Sequence, residues 1–207
     1  ERRVGKECTR PPQAARRAKI AVAANMHPEN QMQMLDQCEA ADFIAADTMD
    51  LWINIANERL HDVLKGIDLL VINDGEAKEF AGTTNLVEAG RRLRDKGPKF
   101  VIVKRGEHGS YLFGDKKEDF FSCSAYPLHS VFDPTGAGDS FLGGLVGWLA
   151  AHGKTKPTFA DLKSAVVHGS VVASYTCEAF STHKLQTVTP LDVAQRIAEL
   201  KLYTQFA

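Results

Sequence analysis

Apolar residues follow two rhythms along this chain. Short continuous runs at 19–24, 42–47, 67–73 and 99–104 are rich in Ala, Val, Ile and Leu, as strands buried on both faces are. Between them, apolar positions recur every three or four residues. Pro28 opens one such stretch, with Met32, Leu35 and Cys38 on one face, and core packing is the ordinary use of such methionines. A second covers 51–64 and ends near Gly66, a third 75–82, and a fourth 86–96, stopped by Gly97-Pro98. Residues 110–114 and 119–124 alternate as an antiparallel pair around a charged turn at 115–118. Three more helices are predicted at 140–151, 161–177 and 190–200. Strands alternating with helices predict an α/β fold, a mostly parallel sheet covered by helices on both faces.

Bulk properties narrow the picture. A chain of 207 residues with 44% hydrophobic content can bury a core. A formal net charge of −1 gives no reason to expect nucleic acid or an anionic membrane as partner. No apolar run reaches the roughly 18 residues of a membrane span, and no signal peptide is visible. Cys8, Cys38, Cys123 and Cys177 include no Cys-x-x-Cys pair, which fits a reducing cytoplasm better than a zinc site or a disulfide framework. Residues 1–18 are crowded with Arg and Lys around Pro11-Pro12 and are expected to be a basic, disordered tail ahead of the folded part, 19–207.

In parallel sheets, ligands bind beyond the carboxyl ends of strands. The residues expected there are Asp47, then Asn73 with Glu76, then the turn Lys104-Arg-Gly106-Glu-His-Gly109. Each has a plain structural explanation: Asp47 and Asn73 as helix caps, Glu76 as a first-turn acid, Gly106 and Gly109 as turn glycines. The stretch Val131-Phe-Asp133-Pro-Thr135-Gly-Ala-Gly-Asp139 says more. Its glycines precede an apolar helix, so amide N–H groups and the positive end of a helix dipole suit a phosphate. A carboxylate in such a turn repels that phosphate. Asp139 therefore suggests another duty, accepting the proton of a hydroxyl that attacks a phosphoryl group.

The run Asp133-Pro-Thr-Gly-Ala-Gly-Asp139 resembles the C-terminal signature of the ribokinase-like (PfkB) carbohydrate and nucleoside kinases. The resemblance covers roughly residues 19–200. It implies a three-layer α/β/α ribokinase-like fold and an ATP-dependent kinase acting on a sugar or nucleoside hydroxymethyl group. It implies Asp139 as catalytic base, Gly136, Ala137 and Gly138 as the anion hole, and Asp133 and Thr135 beside a potassium site. Asn73-x-x-Glu76 matches the family motif that holds Mg2+ through water. Lys104-x-Gly106-x-x-Gly109 resembles the nucleotide-contacting turn, with Lys104 where the family often has Thr. Asp47 falls near the family's phosphate-side Asp. His168 falls where members often place a polar residue on the adenine, and Ser181 in a nucleotide-lining loop.

The family's first glycine motif, most of its sugar-contacting residues and its β-sheet lid have no counterpart here, so the chain reads as N-terminally truncated. An unpaired sheet edge then invites a homodimer. The alternative reading is a nucleotide-binding remnant or partner subunit without catalysis. A P-loop NTPase lacks its Gly-x-x-x-x-Gly-Lys-Ser/Thr, and a dinucleotide oxidoreductase lacks its third glycine.

Overall fold

A computed structural model describes residues 15–205. The expectation of a disordered tail at 1–18 therefore lies largely outside the described residues; within it, Ala15–Arg17 form a single 3-10 turn. Six strands follow, β1 (Ile20–Ala23), β2 (Phe43–Asp47), β3 (Leu69–Asn73), β4 (Phe100–Lys104), β5 (Ser110–Phe113) and β6 (Phe120–Cys123). They lie in one sheet in that order. β1, β2 and β3 run parallel, with Ile20 opposite Phe43 and Ala45 opposite Leu69. The helices are α1 (Pro28–Leu35), α2 (Asp50–Ile55), α3 (Asn57–Lys65), α4 (Asp74–Ala81), α5 (Leu86–Arg94), α6 (Ala137–Ala151), α7 (Phe159–Thr176) and α8 (Pro190–Thr204). The α/β class expected from the alternation is the one found.

Two compact units divide the chain. The first holds residues up to 103 together with 113–118. Here Leu69 to Ile72 of β3 and Phe100 to Val103 of β4 are all buried, so both faces of these strands are covered. That is why they read as unbroken apolar runs. Each fully buried Leu, Val or Ile contributes about 1.5–3 kcal/mol relative to exposure. α1 packs on β1 and α3, and α4 packs on β3 and α5. The second unit holds 104–112 and the chain from 119 on. Its centre is the α6–α7 pair, with Leu145, Leu149, Leu162, Ala165 and Val166 fully buried. Val171, Tyr175 and Leu200 bind α7 to α8.

Two expectations need correction. The helix at 51–64 is two helices broken at Ala56, whose φ of −136° leaves the helical region. Asn57 and Asn54 side chains donate to the carbonyls of Ile53 and Asp50, the local competition that weakens helix interiors. Cys38 lies past the end of α1, in a turn where its N–H donates to the Leu35 carbonyl. The glycines of α6 differ in their surroundings. A Cβ on Gly144 would stand 2.9 Å from Val172 Cβ, so this glycine lets α7 approach, while Gly143 and Gly147 face open space.

Candidate functional site

α6 begins at Ala137, three residues earlier than the apolar run alone suggests, so Asp139 sits in its first helical turn. Its N-cap is Gly136, at φ 81° and ψ 0°, a left-handed conformation that glycine adopts without steric cost. No side chain caps this end. The turn before it is closed by its own atoms. Thr135 N–H donates to Asp133 Oδ1 at 2.9 Å, and Ala137 N–H donates to the Pro134 carbonyl at 3.0 Å. The Thr135 backbone and side-chain bonds hold the Asp133 carboxyl below its ordinary value. Of the three amides expected to form the anion hole, that of Ala137 thus serves the turn itself. Asp139 is exposed.

The end of α7 holds this turn from behind. The Cys177 carbonyl accepts from Phe132 N–H at 2.8 Å and more weakly from Asp133 N–H at 3.4 Å. Thr176, almost wholly buried, donates from Oγ1 to Ser140 Oγ at 2.8 Å, and its methyl lies 4.0 Å from where a Cβ on Gly136 would be. Neither Thr176 nor the Cys177 carbonyl stands out in the sequence; both look like the plain end of an apolar helix. Burial, and then the Asp133 charge, push the Cys177 thiol up.

The strand-turn at 104–109 brings a cation to the same place. Lys104 ends β4, and its Nζ stands 3.0 Å from the position a Cβ on Gly138 would occupy. Gly106 opens a 3-10 turn, Gly106–His108, at φ 56°. Gly109, at φ 81°, is required sterically, because a Cβ there would fall 2.0 Å from the Cys123 carbonyl oxygen. His168 lies inside the helix pair. Its Nδ1 is 3.2 Å from the Gly144 carbonyl, which selects the tautomer protonated at that nitrogen, and burial lowers its pKa. Ser181 is exposed at φ 56°, the one left-handed non-glycine residue among those described.

In the first unit, Asn73 and Glu76 form a capping box on α4. Asn73 Oδ1 accepts from Glu76 N–H at 2.8 Å, and Glu76 Oε2 accepts from Asn73 N–H at 3.0 Å. The structural explanation offered for these two residues is therefore true, and each keeps further oxygen or amide chemistry beyond the cap. Asp47 is buried and does not cap a helix; its Oδ1 accepts from Thr48 N–H at 2.8 Å. Sequence reading passed over its neighbour Gln31. This buried amide donates to the carbonyls of Ala23, Ala24 and Asp47 at 3.0–3.2 Å, so it ties together the carboxyl ends of β1 and β2. A glutamine one turn after Pro28, on the side the helix buries, was the available signal. Trp52 Nε1 donates to Asn25 Oδ1 at 2.9 Å beside the His27 ring.

Among the described residues, no three His, Cys, Asp or Glu side chains cluster to hold a metal directly. Cys38, Cys123 and Cys177 are free thiols, and Cys8 lies outside the described residues. No described helix is long and apolar enough to cross a membrane.

A helix that starts on glycines without a side-chain cap is suited to an anion such as a phosphate. Residues 13–188 match the model of the pfkB family of carbohydrate kinases, and the chain belongs to that family. It is similar to a cytidine kinase of Thermococcus kodakarensis, with 26% identity over 143 residues, 68% of this chain and 50% of that protein. Ribokinase from Giardia lamblia shares the fold with a TM-score of 0.74 at 18% identity, over 88% of this chain and 61% of that one. Arabidopsis thaliana ribokinase complexed with ribose and ATP gives 0.72 at 21%, over 93% and 59%. The chain spans about half the length of the cytidine kinase it matches.

Proposed function

We propose that this chain is the nucleotide-binding and catalytic part of an ATP-dependent kinase. It moves the γ-phosphoryl group to a hydroxymethyl group of a sugar or nucleoside. The observation that carries the reading is the start of α6, where an exposed carboxylate, Asp139, follows an uncapped left-handed glycine. The family membership and the cytidine kinase relative support the acceptor class.

Asp139 takes the proton of the acceptor hydroxyl as its oxygen forms a bond to the γ-phosphorus. The bond from that phosphorus to the bridging oxygen breaks, and ADP leaves. The main-chain amides of Gly136 and Gly138 and the α6 dipole take up charge on the phosphoryl oxygens. The 104–109 turn lines the nucleotide, and the family resemblance gives Ser181 and His168 supporting contacts to it. The family resemblance gives Asp47 a role near the phosphates.

Asn73 and Glu76 fit magnesium held through water, since each already commits one oxygen to the α4 cap and the ion gives up its waters reluctantly. Bound there, the ion neutralises phosphate charge. Asp133, kept ionised by Thr135, and Thr135 itself are suited to potassium. The free thiols fit a cytoplasmic protein. Among the described residues β1 ends the sheet, and that edge is where a homodimer would form.

Calorimetry with Mg·ATP, beside a transfer assay on pentoses, hexoses and nucleosides, tests the reading. Binding and turnover are expected. Binding without turnover would select the inactive remnant, and absence of binding would contradict both.

A further inference from the structure

We propose that Lys104 is a catalytic residue. Its ammonium carries a fixed positive charge onto the phosphoryl group held at the start of α6. The inference rests on the reading above and adds to it the source of charge at the transferred group.

The sequence puts this lysine at the end of an apolar strand, Phe-Val-Ile-Val-Lys. The first four residues are buried, so the strand that carries the lysine is anchored. Lys104 itself is half-buried. Its Nζ stands 3.0 Å from the Cβ position of Gly138, the second residue of α6. The ammonium therefore fills the space over the helix's first turn that any side chain at 138 would claim. Glycine at 138 is explained by this approach as well as by the turn.

Three sources of positive potential meet there: first-turn N–H groups, the helix dipole and a full charge on a flexible stem. A phosphoryl oxygen at this point would receive a charge-assisted bond, shorter and stronger than one from a hydroxyl. Threonine, the residue the family resemblance leads one to expect, can give only the weaker bond. On this account the charge is the reason for the lysine, and a neutral donor will not replace it.

The test compares wild type with Lys104→Met, Lys104→Thr and Lys104→Arg, each checked for an unchanged melting temperature. Calorimetry with ATP, ADP and adenosine, all with magnesium, locates the contact. Lys104→Met should weaken ATP by about tenfold or more and ADP by much less, with adenosine unchanged. Loss of one preorganised donor should slow transfer by about 10²-fold. Lys104→Arg should recover part of both losses and Lys104→Thr little. Gly138→Ala, whose methyl would meet the ammonium, should reproduce the loss specific to ATP. Equal losses for ATP and ADP, or full activity in Lys104→Thr, would overturn the proposal. If the wild-type chain binds no nucleotide at all, the kinase reading fails first and this one falls with it.

Discussion

Five of the described helices carry an acid at the third helical position, and only one of these, α6, starts without a side-chain cap. α4, α7 and α8 start on Asn73, Thr158 and Thr189, whose side chains accept from the N–H of Glu76, Asp161 and Asp192. Each acid returns a bond to the N–H of its cap, at 2.8–3.0 Å. The box satisfies donors that a helix start would otherwise leave to water. α6 has the acid, Asp139, but glycine in place of the capping side chain. Its first turn is thereby left for something outside the chain to satisfy. A helix start that forgoes a cap worth about 1 kcal/mol is a place to look for a ligand.

The comparison can be broken most severely at the acid. Asp139→Asn should slow phosphoryl transfer by about 10²–10⁴-fold while Mg·ATP affinity stays within about twofold. The corresponding changes Asp161→Asn and Asp192→Asn should leave transfer intact. Parallel kinetics and calorimetry on the three variants check this.

Next come the glycines. Gly136→Ala and Gly82→Ala both force a left-handed alanine, at φ 81° and 64°, and each should lower stability by about 1–2 kcal/mol in a denaturant titration. Only Gly136→Ala should also abolish nucleotide binding. Equal binding by both variants would mean that the α6 start is an ordinary turn.

The caps should give smaller effects. Thr158→Ala and Thr189→Ala should each lower stability by about 1 kcal/mol with no change in magnesium dependence. Asn73→Ser keeps a capping oxygen, so its stability should hold. If Asn73 also serves the metal, this variant will need more magnesium for half-maximal activity. Unchanged magnesium dependence would leave Asn73 a cap alone.

The smallest effect is on pH. The Asp161 pKa is lowered to about 2, first by the Lys154 side chain and then by Thr158. Because the folded value lies below the unfolded one, this carboxylate adds stability above about pH 4, and the gain fades as pH falls toward 2. Melting temperatures of Asp161→Asn should therefore fall below wild type at neutral pH and converge with it near pH 2. A constant gap across that range would contradict the assignment.

Much of the fold was legible because the buried strands cannot be anything else. Leu-Leu-Val-Ile at β3 and Phe-Val-Ile-Val at β4 read as runs because both faces are covered. The break at Ala56 was not legible, because apolar spacing runs on through it and only the asparagines beside it mark the change. In the site, the glycines and Asp139 announced themselves through residue types that a simple helix start does not need. Asn73 and Glu76 remained double, since one spacing serves both a capping box and a metal. Thr176 and Lys104 were harder. The contact of Thr176 with Ser140 spans 36 residues, and the reach of Lys104 over Gly138 joins the end of a strand to a helix start. Neither neighbourhood leaves a local pattern in the chain.

Amide NMR during titration with a non-hydrolysable Mg·ATP analogue tests the central claim most directly. The account predicts the largest shifts at Gly138 and Asp139, smaller ones there with Mg·ADP, and none at the boxed starts of α7 and α8. Shifts of equal size at all three starts, or none at 136–139, would contradict it.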